Sequence, residues 1–152
     1  MNSDTKSTRR QLSHERILDA AARAVRKHGY TGVGVADVMK EAGLTHGGFY
    51  AHFKSRDALL AAAVEHAGIE GAKFLSRRMA ALLERGASPV RALVEAYLAE
   101  EHVQAVEHGC PVAALGTEMP RQADEVRDMS RQRVTALIDI VQQALPPESP
   151  RE

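Results

Sequence analysis

Hydrophobic positions in this 152-residue chain recur at helical spacing along most of its length. Ile17, Leu18, Ala21, Ala22 and Val25 make a first stripe, with Arg16, Asp19, Arg23, Arg26 and Lys27 on the other faces. Ser13 is the expected N-cap of this helix and Gly29 its left-handed exit. Val35, Val38, Met39 and Ala42 fall at i, i+3, i+4 and i+7 and predict a second helix that Gly43 ends. Thr45 predicts the cap of a short third helix running to about His52. Ser55 predicts the cap of a fourth, whose period is set by Leu59, Leu60, Ala63, Val64 and Ala67 and continued by Leu75, Met79, Leu82 and Leu83. Gly68 and Gly71 are places where that helix can bend. Ser88 and Pro89 open a fifth helix carrying Val90, Leu93, Val94, Tyr97 and Leu98. Gly109 and Pro111 break the chain, a short helix is expected over 112–119, and a last one over 124–145. No stretch alternates with the period of a strand, so the predicted fold is all-α.

The segment 43–55 carries the densest chemistry. A helix of that length cannot support itself in water and must pack on its neighbours. Phe49 and Phe53 lie four residues apart, on one face, and suit a core, whereas Thr45, His46, Gly48, Tyr50 and His52 fall largely elsewhere and suit an external partner. This is the division that a helix-turn-helix presenting its second helix to DNA requires. Gly47 and Gly48 each cost roughly 1 kcal/mol relative to Ala inside a helix. Close packing on the second helix is the reading that suits Gly47, and close approach of the backbone to a groove the one that suits Gly48. Tyr50 has a ring to pack and a hydroxyl to give a phosphate, so core and interface both remain open for it. His46 and His52 can donate to phosphates or bases, or be ordinary exposed histidines.

Composition narrows the class without changing it. The hydrophobic fraction of 44% and charged fraction of 26% are those of an ordinary globular protein. No apolar run is long enough to suggest a membrane span, and a single cysteine, Cys110, fits a reducing cytoplasm. Net charge is zero, but residues 1–66 hold 10 Lys and Arg against 7 Asp and Glu, and the remainder 10 against 13. A basic front half facing an anion and an acidic back half facing away is the arrangement this suggests. Lys54 and Arg56 sit where a DNA backbone could run; Arg9 and Arg10 either trail along it or belong to a solvated tail.

The runs Arg16-Ile17-Leu18-Asp19-Ala20-Ala21, Gly29-Tyr30, Val35-Ala36-Asp37-Val38, Ala42-Gly43-Leu44-Thr45 and Phe49 through Leu60 together resemble the DNA-binding domain of the tetracycline-repressor (TetR) family over about residues 13–66. Gly109 to Leu115 is similar to a segment in one group of that family's regulatory domains. The resemblance implies a transcriptional regulator, most often a repressor, that binds a palindromic operator as a dimer and is released by a small ligand. Carried over by position, Thr45, His46, Gly47 and Gly48 would begin the base-reading surface, and Tyr50, His52 and Lys54 would contact phosphates. Gly34 stands where the family usually has a hydroxyl cap, His46 where it commonly has Lys, and Gly48 where it has Thr. Family members run on for two further helices that form the dimer, so a weakened homodimer is expected here.

The expected organisation is a disordered tail (1–12), a helix-turn-helix domain (13–55), an incomplete helical ligand-binding and dimerisation domain (56–145) and a Pro-rich tail (146–152). Phe74, Met79, Tyr97, Cys110, Leu115 and Met119 are the candidate lining of a site for a small apolar ligand, although residues of these types are core by default. The stripe Val134, Leu137, Ile138, Val141 and Leu145 either buries in this domain or pairs two chains. His102, Glu107, His108 and Cys110 do not share a helix face, and no metal or other cofactor is expected. No phosphate loop, nucleophile elbow or His-Glu-x-x-His pair is present, so the chain does not read as an enzyme. Two alternatives remain open: a DNA-binding module without ligand response, and a helical protein-interaction domain.

Overall fold

The computed structural model describes residues 2–147. These residues form α1 (Asn2–His28), α2 (Val35–Glu41), a 3-10 segment (His46–Ala51), α3 (Arg56–Glu84), α4 (Pro89–Tyr97), α5 (Glu100–Gln104), α6 (Pro111–Leu115), a 3-10 turn (Met119–Arg121) and α7 (Asp124–Ala144). Among the described residues there is no strand. The predicted all-α architecture holds, with α3 packed against α1, α4 and α7.

Glycine at positive φ closes three helices: Gly29 at 71°, Gly43 at 68° and Gly86 at 87°. At Gly43 the left-handed turn lets the Leu44 amide reach back to the Met39 carbonyl at 2.8 Å. The Ser55 and Ser88 hydroxyls accept from the amides of Ala58 and Arg91 at 3.0 and 3.3 Å, as N-caps should.

Three expectations fail locally. The segment expected to be a disordered tail is helical from Asn2, so Ser13 lies inside α1 rather than at its start. No proline or glycine interrupts residues 2–28, and Arg10 anchors the helix by donating to the Ala51 carbonyl at 2.7 Å. The third helix is a 3-10 segment instead of an α-helix, and the Thr45 side chain makes no capping bond. Two successive glycines remove the propensity that would sustain an α-turn there. The short helix expected over 112–119 stops at Leu115, and a separate 3-10 turn forms around Pro120. The Pro-rich tail falls outside the described residues after Pro147.

Two cores hold the chain together, and α3 contributes to both. The larger gathers Ile17, Ala21 and Val25 of α1, Val38 and Met39 of α2, Phe49, Phe53, and Leu59, Leu60 and Val64 of α3. Leu115, Met119 and Val126 belong to the same cluster, so the core crosses the boundary expected at residue 55. The smaller joins Leu75, Leu93, Ala96 and Ala144, with Met79, Leu82, Tyr97 and Ile140 against it. The glycines at 68 and 71 do not interrupt α3, which runs unbroken for 29 residues.

Polar groups reinforce the crossing between the halves. The buried Tyr30 hydroxyl lies 3.0 Å from Ser130 Oγ on α7, and the Tyr30 amide donates to Glu118 Oε2 at 3.1 Å. A Cβ at Gly29 would lie 2.5 Å from the Glu118 carboxylate that accepts from the Tyr30 amide, so a side chain there would have to displace that bond, and the positive φ favours glycine in any case. Arg26, 4% exposed, donates to Glu70 at 3.1 Å, and His66 Nε2 lies 2.7 Å from Asp19 Oδ1. Burial lowers the Arg26 pKa, and the bond to Glu70 opposes that effect.

Candidate functional site

The turn Ala42–Thr45 and the 3-10 segment are held from behind. Arg16 of α1 donates through Nε to the Ala42 carbonyl at 2.8 Å, and Arg56 donates to the carbonyls of Val33 and Tyr30. Arg56 is therefore a brace inside the domain, with Nε and Nη2 both committed inward. Phe49 and Phe53 stack at 5.9 Å between centroids, and their burial fixes which edge of the segment faces out.

That outer edge carries the expected residues. Thr45, His46, Gly47 and Lys54 are exposed, Gly48 and His52 are half-buried, and Tyr50 is 76% exposed beside a Phe49 that is 2% exposed. Tyr50 is thus not a core residue; its ring stands edge-on to Phe49 at 5.1 Å. Packing on the second helix, the role expected of Gly47, requires glycine at neither position. A Cβ at Gly48 would meet Met39 Cε of α2 at 3.7 Å, whereas one at Gly47 would meet nothing within 4 Å. Gly47 is bare, exposed backbone, and Gly48 faces α2 at ordinary contact distance.

Two contacts at this edge were not legible in local sequence. Lys54 Nζ lies 3.3 Å from Glu125 Oε1 at the start of α7, so the candidate phosphate contact is already paired with an acid of the C-terminal half. His52 lies beside His14, ring centroids 5.7 Å apart, and burial first, then repulsion from His14 and Arg10, lowers its pKa. In the free protein its neutral form is favoured.

The candidate ligand residues separate into two groups. Phe74, Tyr97 and Cys110 line a cavity of about 70 Å³ between α3, α4 and α7, together with His102, Leu137 and Arg133. Met79, Leu115 and Met119 do not line it. Leu115 and Met119 fill the larger core, and Met79 packs on the smaller one. Spacing along a helix marks an apolar face but not whether the opposing helix fills it. His102 bridges two sides of the cavity wall: one ring nitrogen faces the Tyr97 carbonyl at 2.5 Å, and Nε2 accepts from the Cys110 amide at 3.1 Å. Burial first, and the Cys110 thiol second, push the Tyr97 hydroxyl well above the usual phenol range, so it stays a donor. The stripe on α7 is shared: Val134 packs on the larger core and Leu137 lines the cavity, while Ile138, Val141 and Leu145 are exposed.

Among the described residues one group, Asp19, His66 and Glu70, brings metal-ligating atoms within 4.8 Å of one another. The sequence reading missed it because Asp19 and the other two lie on different helices. His66 and Glu70 already have partners there in Asp19 and Arg26. No helix among the described residues is long and apolar enough to cross a membrane.

Comparison with known proteins agrees with this geometry. Residues 17–63 match the family model described as bacterial regulatory proteins, tetR family. An uncharacterized HTH-type transcriptional regulator in the lacX 3' region of Lactococcus lactis subsp. lactis is 32% identical over 117 residues, covering 74% of this chain and 58% of that protein. The HTH-type transcriptional repressor NemR of Escherichia coli (strain K12) is 27% identical over 137 residues, covering 88% and 67% respectively. The crystal structure of reduced E. coli NemR superposes with a TM-score of 0.68 at 21% identity, over 87% of this chain and 68% of that one. A TetR-family transcriptional regulator from Agrobacterium tumefaciens gives a TM-score of 0.69 at 21% identity, over 88% and 72%. The structural likenesses establish a shared fold. The chain spans 58% of the length of the Lactococcus relative, so what whole proteins of that size do is not carried over directly.

Proposed function

We propose that this chain, whose residues 17–63 match the tetR family of bacterial regulatory proteins, is a DNA-binding transcriptional repressor that grips a palindromic operator as a homodimer. The observation that carries this reading is the outward edge of the 3-10 segment. A tyrosine 76% exposed between two buried phenylalanines, with exposed His46 and Lys54 nearby, touches Phe49 with its ring yet leaves most of its surface outward. Thr45, His46 and Gly47 supply the groove-facing surface with Gly48 behind them, and Tyr50, His52 and Lys54 the phosphate contacts. One such unit reads only a few base pairs; two copies roughly 34–36 Å apart supply the rest of the specificity.

The cavity lined by Phe74, Tyr97 and Cys110 is the effector site in this reading, and a small, largely apolar molecule is its occupant. The contact of Glu125 with Lys54 supports a link between that half and the DNA surface: a shift of α7 alters which partner Lys54 has. Fluorescence anisotropy with duplexes from the DNA upstream of the reading frame tests the function. Sequence-specific binding that weakens steeply with salt is expected. Equal affinity for a palindrome and a scrambled duplex at all salt concentrations would sink the repressor reading.

A further inference from the structure

We infer that the molecule accommodated in the α3–α4–α7 cavity is a small carboxylate, with Arg133 as its anion-binding residue. The inference rests on the effector-site reading of that cavity and adds the chemical class. Arg133 lines the cavity from α7, and its Nε is buried without any hydrogen-bond partner. Among the described residues no acid pairs with it, and its Nε is the one buried side-chain nitrogen or oxygen left without a hydrogen-bond partner.

An arginine remains charged at any physiological pH, and a buried donor left unsatisfied is costly. The chain nevertheless makes room for this one. A Cβ at Gly68 would lie 2.4 Å from Arg133 Cδ and 3.5 Å from Nη1, so the stem of Arg133 lies in the space that glycine leaves on α3. The remaining walls are mostly apolar: Phe74, Leu75, Leu137 and Ile140, with Gly71 and Ala72. A guanidinium in such surroundings strengthens its pairing with an anion, and its planar fork matches the two oxygens of a carboxylate. Tyr97, whose hydroxyl stays a donor, and Cys110 line the same cavity. A volume of about 70 Å³ favours a short acyl or small-ring acid over a larger phosphorylated compound.

The test is calorimetric titration of the full chain with propanoate, hexanoate and benzoate, each set beside its neutral amide. Wild type should prefer at least one acid over its amide by tenfold or more. Arg133→Gln should bring that ratio near one, and Arg133→Lys should keep part of it. Gly68→Ala, which restores helix propensity while crowding the arginine, should lower the ratio. Gly71→Leu probes the cavity itself, because a Cβ there meets nothing within 4 Å and the longer side chain extends into the lining. It should abolish binding of acids and amides alike. If acid and amide bind wild type equally, or Arg133→Gln keeps the preference, the carboxylate assignment is wrong while the cavity stands. If none of the six compounds binds wild type, or Gly71→Leu binds them all unchanged, the effector-site reading fails and the inference fails with it. Thermal unfolding of each variant separates these results from loss of fold.

Discussion

Replacing Tyr30 by Phe removes one hydroxyl at the junction between the half that holds the 3-10 segment and α7, and the structure gives its consequences an asymmetry. Tyr30 and Ser130 are each 1% exposed, so water cannot readily replace either partner. Their oxygens lie 3.0 Å apart, but Ser130 Oγ also donates to the Val126 carbonyl at 2.7 Å. Tyr30→Phe therefore leaves Ser130 with a partner and costs only the net value of one neutral bond, about 0.5–1.5 kcal/mol. Ser130→Ala instead strands the tyrosine hydroxyl, at about 1–3 kcal/mol, offset by up to about 0.7 kcal/mol from the better helix propensity of Ala. Adding Tyr30→Phe to the Ser130→Ala protein removes the stranded group. That second substitution should be neutral or stabilising there, although it destabilises the wild type. Urea denaturation of the four proteins, read at constant slope, gives the coupling directly. Equal cost of Tyr30→Phe in both backgrounds would show that the two hydroxyls do not depend on each other.

Other perturbations address the DNA surface and its pH response. Lys54→Ala should weaken operator and non-operator binding alike and flatten the salt slope by about 0.9, one phosphate's worth, in gel shifts at several ionic strengths; Tyr50→Phe should weaken binding similarly across sequences. Glu125→Gln releases Lys54 from an exposed pair, and affinity should rise by at most about fivefold in the same assay; no rise would mean the pair does not compete with DNA. His46→Lys together with Gly48→Thr should shift the consensus recovered from random duplexes, with an unchanged consensus placing base reading elsewhere. Because the folded pKa of His52 is lowered, the unfolded chain binds more protons there, so its contribution is present above about pH 6.5 and is lost as pH falls through the lower folded value. His52→Gln should flatten that part of a melting-temperature profile taken from pH 7.5 to 5, and an identical profile would remove His52 as its source.

What the sequence disclosed was local. The stripe from Ile17 to Val25, the exits at Gly29 and Gly43 and the caps at Ser55 and Ser88 follow from rules that act within a few residues, and they appear as expected. The outward set from Thr45 to Lys54 was legible for the same reason, since burying Phe49 and Phe53 determines where their neighbours point. Partners far along the chain were not legible. Arg56 turns inward to Val33 and Tyr30, Lys54 meets Glu125, and Glu118 fills the space beside Gly29. Met79, Leu115 and Met119 look identical to cavity residues until the helices facing them are known. Arg133 was invisible as a site residue because its isolation from acids is a property of three dimensions.

The uninterrupted course of α3 has a mechanical consequence. Its 29 residues span about 44 Å at 1.5 Å per residue, with one end rooted beside the 3-10 segment and the other in the smaller core. A rod of that length tilting by about 5° about one end carries the other through about 4 Å, a third of the roughly 12 Å width of the major groove. The cavity meets α3 near its middle, from Gly68 to Leu75, so a tilt about the Glu84 end that shifts the cavity wall by about 2 Å carries the Arg56 end through about twice that.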